Sequence, residues 1–351
     1  MRPTSEHSPR AWPHQNETRV SDDVFNGQFQ LSLSRAMSPA PFRAVGIDVG
    51  GTKTAIAIIE FPEGRIVSEK SIPTRPDREA TAVLEDIAQL AETLVAESRL
   101  AGNGVAGVGV GVCELVAPDG EVLSHNCLVW EKALVQERLV HLAPVTVEAD
   151  VRAAALAESL FGAGKSFRLF LYITVGTGIA CCLMQEGRPY VGTRGATGTM
   201  ASSVLSQVCE RCGHVNNLSL EQVASGPALV ERYNESCSGN AASGQDVLAA
   251  AAAGNVNALR VVETAGEALG STVGLLVNVL DPAAVIVGGG LGFSGGPFWS
   301  NFIASTRRHI WSEVHRGLPI LRAATGLHAG VIGAAAAAWK AHASSPESNQ
   351  T

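Results

Sequence analysis

The residues that could do chemistry gather in three glycine turns and two aspartates. Asp48-Val49-Gly50-Gly51-Thr52-Lys53-Thr54 joins two apolar β-rich runs, 44–49 and 55–59, which reads as a hairpin. Without Cβ atoms, Gly50 and Gly51 let backbone N–H groups face an anion, while Thr52 adds a hydroxyl donor and Lys53 a charge. Asp48, just ahead of the turn, suits Mg²⁺, which keeps most of its water and takes one or two carboxylates. A short glycine motif is equally an ordinary tight hairpin with an acid at its strand end. Neither G-x-x-x-x-G-K-[ST] nor G-x-G-x-x-G is present at this turn. Gly176-Thr177-Gly178 forms a second turn between runs 169–175 and 179–184, and Gly288-Gly289-Gly290 follows the apolar run 284–287. Asp150 stands at the end of run 145–147 and opens an Ala-rich helix. A carboxylate there can take a proton from an attacking hydroxyl, or it can simply cap the helix beginning at Val151. Asn126, in Ser124-His-Asn-Cys-Leu-Val-Trp130, is a hydroxyl ligand or a plain turn asparagine, and Glu221 a hydroxyl ligand or a helix-capping acid.

The elements that must position these groups follow from periodicity. Residues 65–71 read as a third strand and 105–112 as a buried strand, with 117–120 a turn. Residues 79–100 carry Val83, Ile87, Leu90, Leu94 and Val95 at helical spacing. Residues 222–233, 244–253 and 257–280 read as helices, the last stopped by Asp281-Pro282. An Ala-rich helix over 329–342 is expected to pack back on the first half. Function in such sheets gathers at strand carboxyl ends.

Of the 351 residues 46% are hydrophobic and 17% charged, a globular composition with room for two domains. A net charge of −7 gives no basic footprint for nucleic acid. No apolar run approaches the ~18 to 20 residues that span a membrane. Seven cysteines, several inside apolar strands, fit a reduced, cytoplasmic chain rather than a disulfide framework. Residues 1–42 lack apolar period and the apolar core of a signal peptide, so a disordered extension is expected, with Met37 a second candidate start and Asn16-Glu17-Thr18 a chance match to a glycosylation acceptor. The tail 343–351 is expected to fray.

A strand-turn-strand loop opening D-x-G-G-T-K, echoed by the second and third glycine turns over about 44–340, resembles the actin and sugar-kinase superfamily and, within it, the ROK family of sugar kinases and sugar-responsive repressors. The resemblance implies an α/β fold of two ribonuclease-H-like (actin/hexokinase-type) domains with an ATP cleft between them. They would be 43–150, closed by helix 329–342, and 151–328. It implies ATP with Mg²⁺ as cofactors, phosphates on Gly50 to Lys53 and Gly176 to Gly178, Gly288 to Gly290 beneath the adenosine, and Asp150 as catalytic base. Asn126, Asp150 and Glu221 would bind a sugar or polyol substrate, in a homodimer without nucleic-acid or membrane partners.

Several positions depart from the family pattern. Glu-Asn-Asp-Ala-Asn-Ala-Ala-Ala-Leu-Gly-Glu is here Glu148-Ala-Asp-Val-Arg-Ala-Ala-Ala-Leu-Ala-Glu158, so a sugar-binding asparagine has become Ala149. The hexose-gripping Gly-Glu-x-Gly-His is Gly198-Thr199-Met200-Ala201-Ser202. Cys209, Cys212 and His214 offer three donors at altered spacing where a structural zinc takes four, so no metal site is assigned. These changes point from glucose toward a C7-cyclitol or amino-sugar, as in relatives from aminocyclitol (antibiotic) biosynthesis. The alternatives are a glucokinase or other hexose kinase, or a repressor without turnover. Such repressors carry a helix-turn-helix domain, for which residues 1–42 show neither helical period nor basic clustering.

Overall fold

The computed structural model describes residues 41–208, 212, 215–237 and 239–344. Residues 1–40 of the expected extension, with Met37 and Asn16, and Cys209, His214 and the end of the tail lie outside the described residues, while Phe42, expected in the extension, already belongs to the first strand. The first half comprises β1 (Phe42–Val49), β2 (Lys53–Phe61), β3 (Arg65–Pro73), α1 (Ala80–Leu100), β4 (Gly107–Val112), α2 (Lys132–Leu139), β5 (Val145–Ala149) and α3 (Asp150–Phe161). The second begins with β6 (Leu169–Val175), β7 (Ile179–Gln185), β8 (Arg188–Pro189) and the hairpin β9 (Val204–Val208)–β10 (Val215–Ser219). It continues through α4 (Leu220–Ala224), α5 (Gly226–Cys237), α6 (Gly244–Ala252), α7 (Val256–Leu280) and β11 (Val285–Gly288). It ends in α8 (Gly296–His309), α9 (Glu313–Arg316), β12 (Ile320–Arg322) and α10 (Ala329–Ala343).

Two five-stranded sheets repeat one plan. Their orders are β3-β2-β1-β4-β5 and β12-β11-β6-β7-β8. In each, an antiparallel glycine hairpin supplies the central strand, β1 or β6, and two strands then add in parallel on its other side. This is the actin/hexokinase-type α/β architecture that the repeated hairpins imply.

Three cores hold it together. One lies between the first sheet and α1, with Val45, Ile47, Ile87, Leu94 and Trp130. Another lies between β6, β11 and helices α7 and α8, with Ile173, Val287, Leu269 and Phe302. The third joins the sheets: Ala57, Ile59 and Phe61 of the first meet Phe170, Tyr172 and Ile286 of the second around α3 and α10. Ala334, Ala335 and Ala336 of α10 are fully buried, so their small side chains let both layers approach closely. The seat on the first sheet is tight, since a Cβ at Gly109 would fall 1.7 Å from the Ala334 carbonyl oxygen.

The expected helix 222–233 is two helices. The chain breaks at Ser225, whose hydroxyl accepts the Ala228 N–H at 3.3 Å, because Pro227 brings no N–H and suits only a first helical turn. Helices α2 and α8 and strands β9, β10 and β12 were not expected. β12 has only three residues, too few for a period to show.

Candidate active site

Asp48 at the end of β1 and Asp150 in the first turn of α3 share a cavity of about 140 Å³, which Thr174, Gly289 and Gly330 also line. Two sheet ends, a glycine turn and the start of α10 therefore meet at one point. Ala149, not Asp150, is the cap residue of α3, and no side chain caps that end. The Asp150 carboxylate instead accepts the adjacent Val151 N–H at 2.6 Å. Burial, then the charge of Asp48, pushes Asp150 up to about 7, against the pull of the Val151 N–H, with Glu114 adding a smaller upward push. Burial pushes Asp48 up to about 6, while Lys53 pulls it down. The Asp48 carboxylate lies against the start of α10: a Cβ on Gly330 would fall 2.1 Å from its Oδ2. Two crowded, partly desolvated carboxylates on one cavity make a hard oxygen donor set, which fits Mg²⁺.

The three glycine turns are built differently. In the first, the Gly50 N–H closes on the Lys53 carbonyl at 3.1 Å and the Thr74 N–H takes the Thr52 carbonyl at 3.0 Å. The Thr74 hydroxyl takes the Gly50 carbonyl at 2.6 Å and pairs with the Thr54 hydroxyl at 2.9 Å. Thr74 thus ties the turn's carbonyls to the end of β3, and Thr52 and Lys53 stay exposed. In the second, the Gly176 N–H meets the Gly178 carbonyl at 2.9 Å, and the Gly226 N–H meets the Gly176 carbonyl at 2.8 Å. Thr177 is exposed. In the third, Gly289 has φ +81° and a Cβ there would lie 2.4 Å from the Val175 carbonyl oxygen, so only glycine fits. Gly290 adjoins Gly176, its nitrogen 3.8 Å from where a Gly176 Cβ would stand, and Gly288 ends β11.

Of the expected substrate ligands Asp150 lines the cavity, and Asn126 and Glu221 do not. Glu221 sits behind the second turn, where its Oε2 accepts the Ile179 N–H at 2.8 Å. Asn126 is exposed on the 124–128 loop, its side-chain amide donating to Ser124 Oγ at 3.2 Å. That loop hangs on Glu114, a residue sequence reasoning missed because its four partners lie ten to fourteen positions away. Burial pushes the Cys113 thiol up, and Asp150 and a hydrogen bond with Cys127 push it further. Three residues before Glu114, a Cβ on Gly111 would lie 3.7 Å from the Asp150 Cα, so the end of β4 runs past Asp150.

Around the departures from the family pattern the chain has closed on itself. Ala149 is buried, and the Ser202 hydroxyl donates back to the Thr199 carbonyl at 2.9 Å. Arg152 is 3% exposed; its Nε donates to Glu148 Oε1 and its Nη2 to the Val116 carbonyl, both at 2.6 Å. Its Nη1 is buried without a hydrogen-bond partner. Among the described residues no group of three or more His, Cys, Asp or Glu side chains is arranged to hold a metal ion, and Cys212 is exposed. No described helix is long and apolar enough to cross a membrane.

Comparison with known proteins agrees with this architecture. The chain is 26% identical over 306 residues to a glucokinase of Halalkalibacterium halodurans, covering 82% of this chain and 92% of that one. It is 28% identical over 298 residues to an N-acetylmannosamine kinase of Citrobacter koseri, covering 83% and 97%. Among solved structures, a ROK family glucokinase from Streptomyces griseus in complex with glucose and AMPPNP superposes with a TM-score of 0.72 at 29% identity, covering 85% of this chain and 99% of that one. Residues 44–341 match the ROK family as a whole; the chain belongs to the ROK family.

Proposed function

We propose that this ROK-family phosphotransferase, with an alcohol group as acceptor, moves the γ-phosphate of ATP to a primary hydroxyl of a sugar-like ring. The observation that carries the reading is the pairing of Asp48 and Asp150 on one cavity that the third glycine turn also lines. Phosphoryl transfer through a loose transition state asks the protein mainly for alignment and charge neutralisation. The first and second turns and Lys53 hold the phosphates, and the third passes beneath the adenosine. Asp150, lifted toward neutrality, accepts the proton of the attacking hydroxyl, its affinity for that proton matched to the task. Asp48 and its water shell would hold Mg²⁺, which when bound neutralises charge on the phosphates. Glu221 holds the second turn through the Ile179 N–H while its other oxygen faces no assigned partner, and Asn126 offers its amide to an acceptor hydroxyl.

The acceptor is a C7-cyclitol or an amino-sugar rather than glucose. In support, Ala149 offers no polar group and Ser202 spends its hydroxyl on Thr199, so two grips on a hexose are gone. A site loses ~1 to 3 kcal/mol for each buried polar group it fails to satisfy. A coupled ADP-release screen over hexoses, amino-sugars and cyclitols tests both parts. kcat/KM for a cyclitol is expected to exceed that for glucose by ~10-fold or more, about 1.4 kcal/mol. A clear glucose preference would return the chain to the hexose kinases, and ADP release with no acceptor at all would remove the kinase reading.

A further inference from the structure

One buried carboxylate beside the cavity has no part in the chemistry above. Glu114, two residues beyond β4, is 6% exposed. Its Oε2 accepts the Ser124 hydroxyl at 2.6 Å and the Asn126 N–H at 2.7 Å; its Oε1 accepts the Cys127 N–H at 2.6 Å and the Leu128 N–H at 3.2 Å. Hydrogen bonds to an ionised acceptor are about twice as strong as neutral ones, and here they come from four residues of a segment that belongs to no helix or strand. A carboxylate has about four lone-pair positions. With four donors in place Glu114 has no capacity left for a ligand, so its effect on a substrate must pass through the loop it holds.

That loop touches the first glycine turn, and its anchor stands near Asp150. Cys127 Sγ stands 3.7 Å from where a Cβ on Gly51 would be, so the loop packs on the first glycine turn. Its anchor, Glu114, leaves the end of β4, where a Cβ on Gly111 would lie 3.7 Å from the Asp150 Cα. Asn126 is held in that loop twice, by Glu114, which accepts its N–H, and by its own amide, which donates to Ser124 Oγ, and its side chain is left exposed. We propose that Glu114 is a positioning residue that fixes the acceptor subsite, an uncharged polyol hydroxyl being met by Asn126 on a loop whose path Glu114 dictates. This rests on the kinase reading, since it takes the loop to be the acceptor side.

The test is Glu114→Gln, which turns one acceptor oxygen into an amide donor facing N–H groups. KM for the best acceptor, KM for ATP, kcat, the Kd for a non-hydrolysable ATP analogue without acceptor, and amide hydrogen exchange at 126–128 are measured in wild type and variant. The acceptor KM is expected to rise about 10-fold or more, the scale of an unsatisfied buried donor, with the nucleotide Kd held within about 2-fold and amide protection lost at 126–128. Ser124→Ala, which leaves three backbone donors on Glu114, covers the case in which the first variant does not fold; it is expected to raise the acceptor KM by about 2- to 5-fold. An unchanged acceptor KM, or an equal rise for acceptor and nucleotide, overturns the proposal. A wild-type enzyme that phosphorylates no polyol overturns the kinase reading and the acceptor role with it, a failure told apart because exchange at 126–128 would still respond to Glu114→Gln.

Discussion

Asp150 is where residue chemistry can be measured most directly. Its value of about 7 lies above the usual carboxylate range because burial and Asp48 both disfavour its charge. In the proposed mechanism the basic form is the working one, so kcat/KM is expected to rise with pH and level off above about 7, and a pH–rate profile checks it. Asp150→Asn is expected to lower turnover by ~10²-fold or more with nucleotide affinity retained. A near-wild-type rate would leave the base assignment without support. The same shift acts on stability. With a folded value above the unfolded one, the native state keeps a proton that the unfolded chain has released between about pH 4 and 7, so stability without ligand falls as pH rises through that window. Asp150→Asn removes that cost and should stabilise the ligand-free protein by about 1–3 kcal/mol at pH 8 and little at pH 4, which denaturant titrations at the two pH values would show. The places of Asp48 near the end of β1 and Asp150 at the start of α3 were legible because each stands beside a motif. Glu114 and Thr74 were not, since their importance lies in partners that only the folded chain brings near.

Among the elements, strands beside glycine turns were read to within a few residues, because alternation, apolar runs and turn glycines agree there. The break at Ser225 was missed, since periodicity runs through it and only Gly226-Pro227 marks the restart. The closing helix was visible by its alanines, yet what it does at its first turn was not. Gly330 lies under the Asp48 carboxylate with no room for a methyl group. Gly330→Ala sets two effects against each other. Alanine favours a helix interior by up to about 1 kcal/mol over glycine, whereas moving Asp48 by about an ångström costs on the order of 10²-fold in rate. The second is expected to win: activity falls about 10²-fold while far-UV circular dichroism is unchanged. Full activity with a raised Tm would show that Asp48 has slack.

At the scale of the whole molecule, the repeated plan was readable from two hairpins, but the order of the second sheet was not, because β11 and β12 are short and β11 meets β6, and β12 meets β11, only in three dimensions. A buried acid links the two sheets. Glu158 is fully buried on α3 and accepts the Ala163 N–H at 2.7 Å, the Ala324 N–H at 3.0 Å, the Thr325 N–H at 2.7 Å and the Thr325 hydroxyl. It ties α3 to the segment between β12 and α10. Glu158→Ala leaves those donors without an acceptor and is expected to cost about 3–5 kcal/mol, a large share of the ~5–15 kcal/mol that domains have; a urea midpoint close to wild type would show that the link carries little. The seat of α10 on β1 and β4 also has a consequence in time. A ribosome adding ~5–20 residues per second delivers β1 roughly 15 to 60 seconds before α10, the last helix described. Throughout that interval the face of the first sheet that α10 covers has no partner, and Asp48 has no helix terminus behind it. The nascent chain therefore carries an uncovered apolar face for most of its synthesis, a natural substrate for chaperones, and the cavity that Asp48 and Asp150 share with α10 can form only at the end.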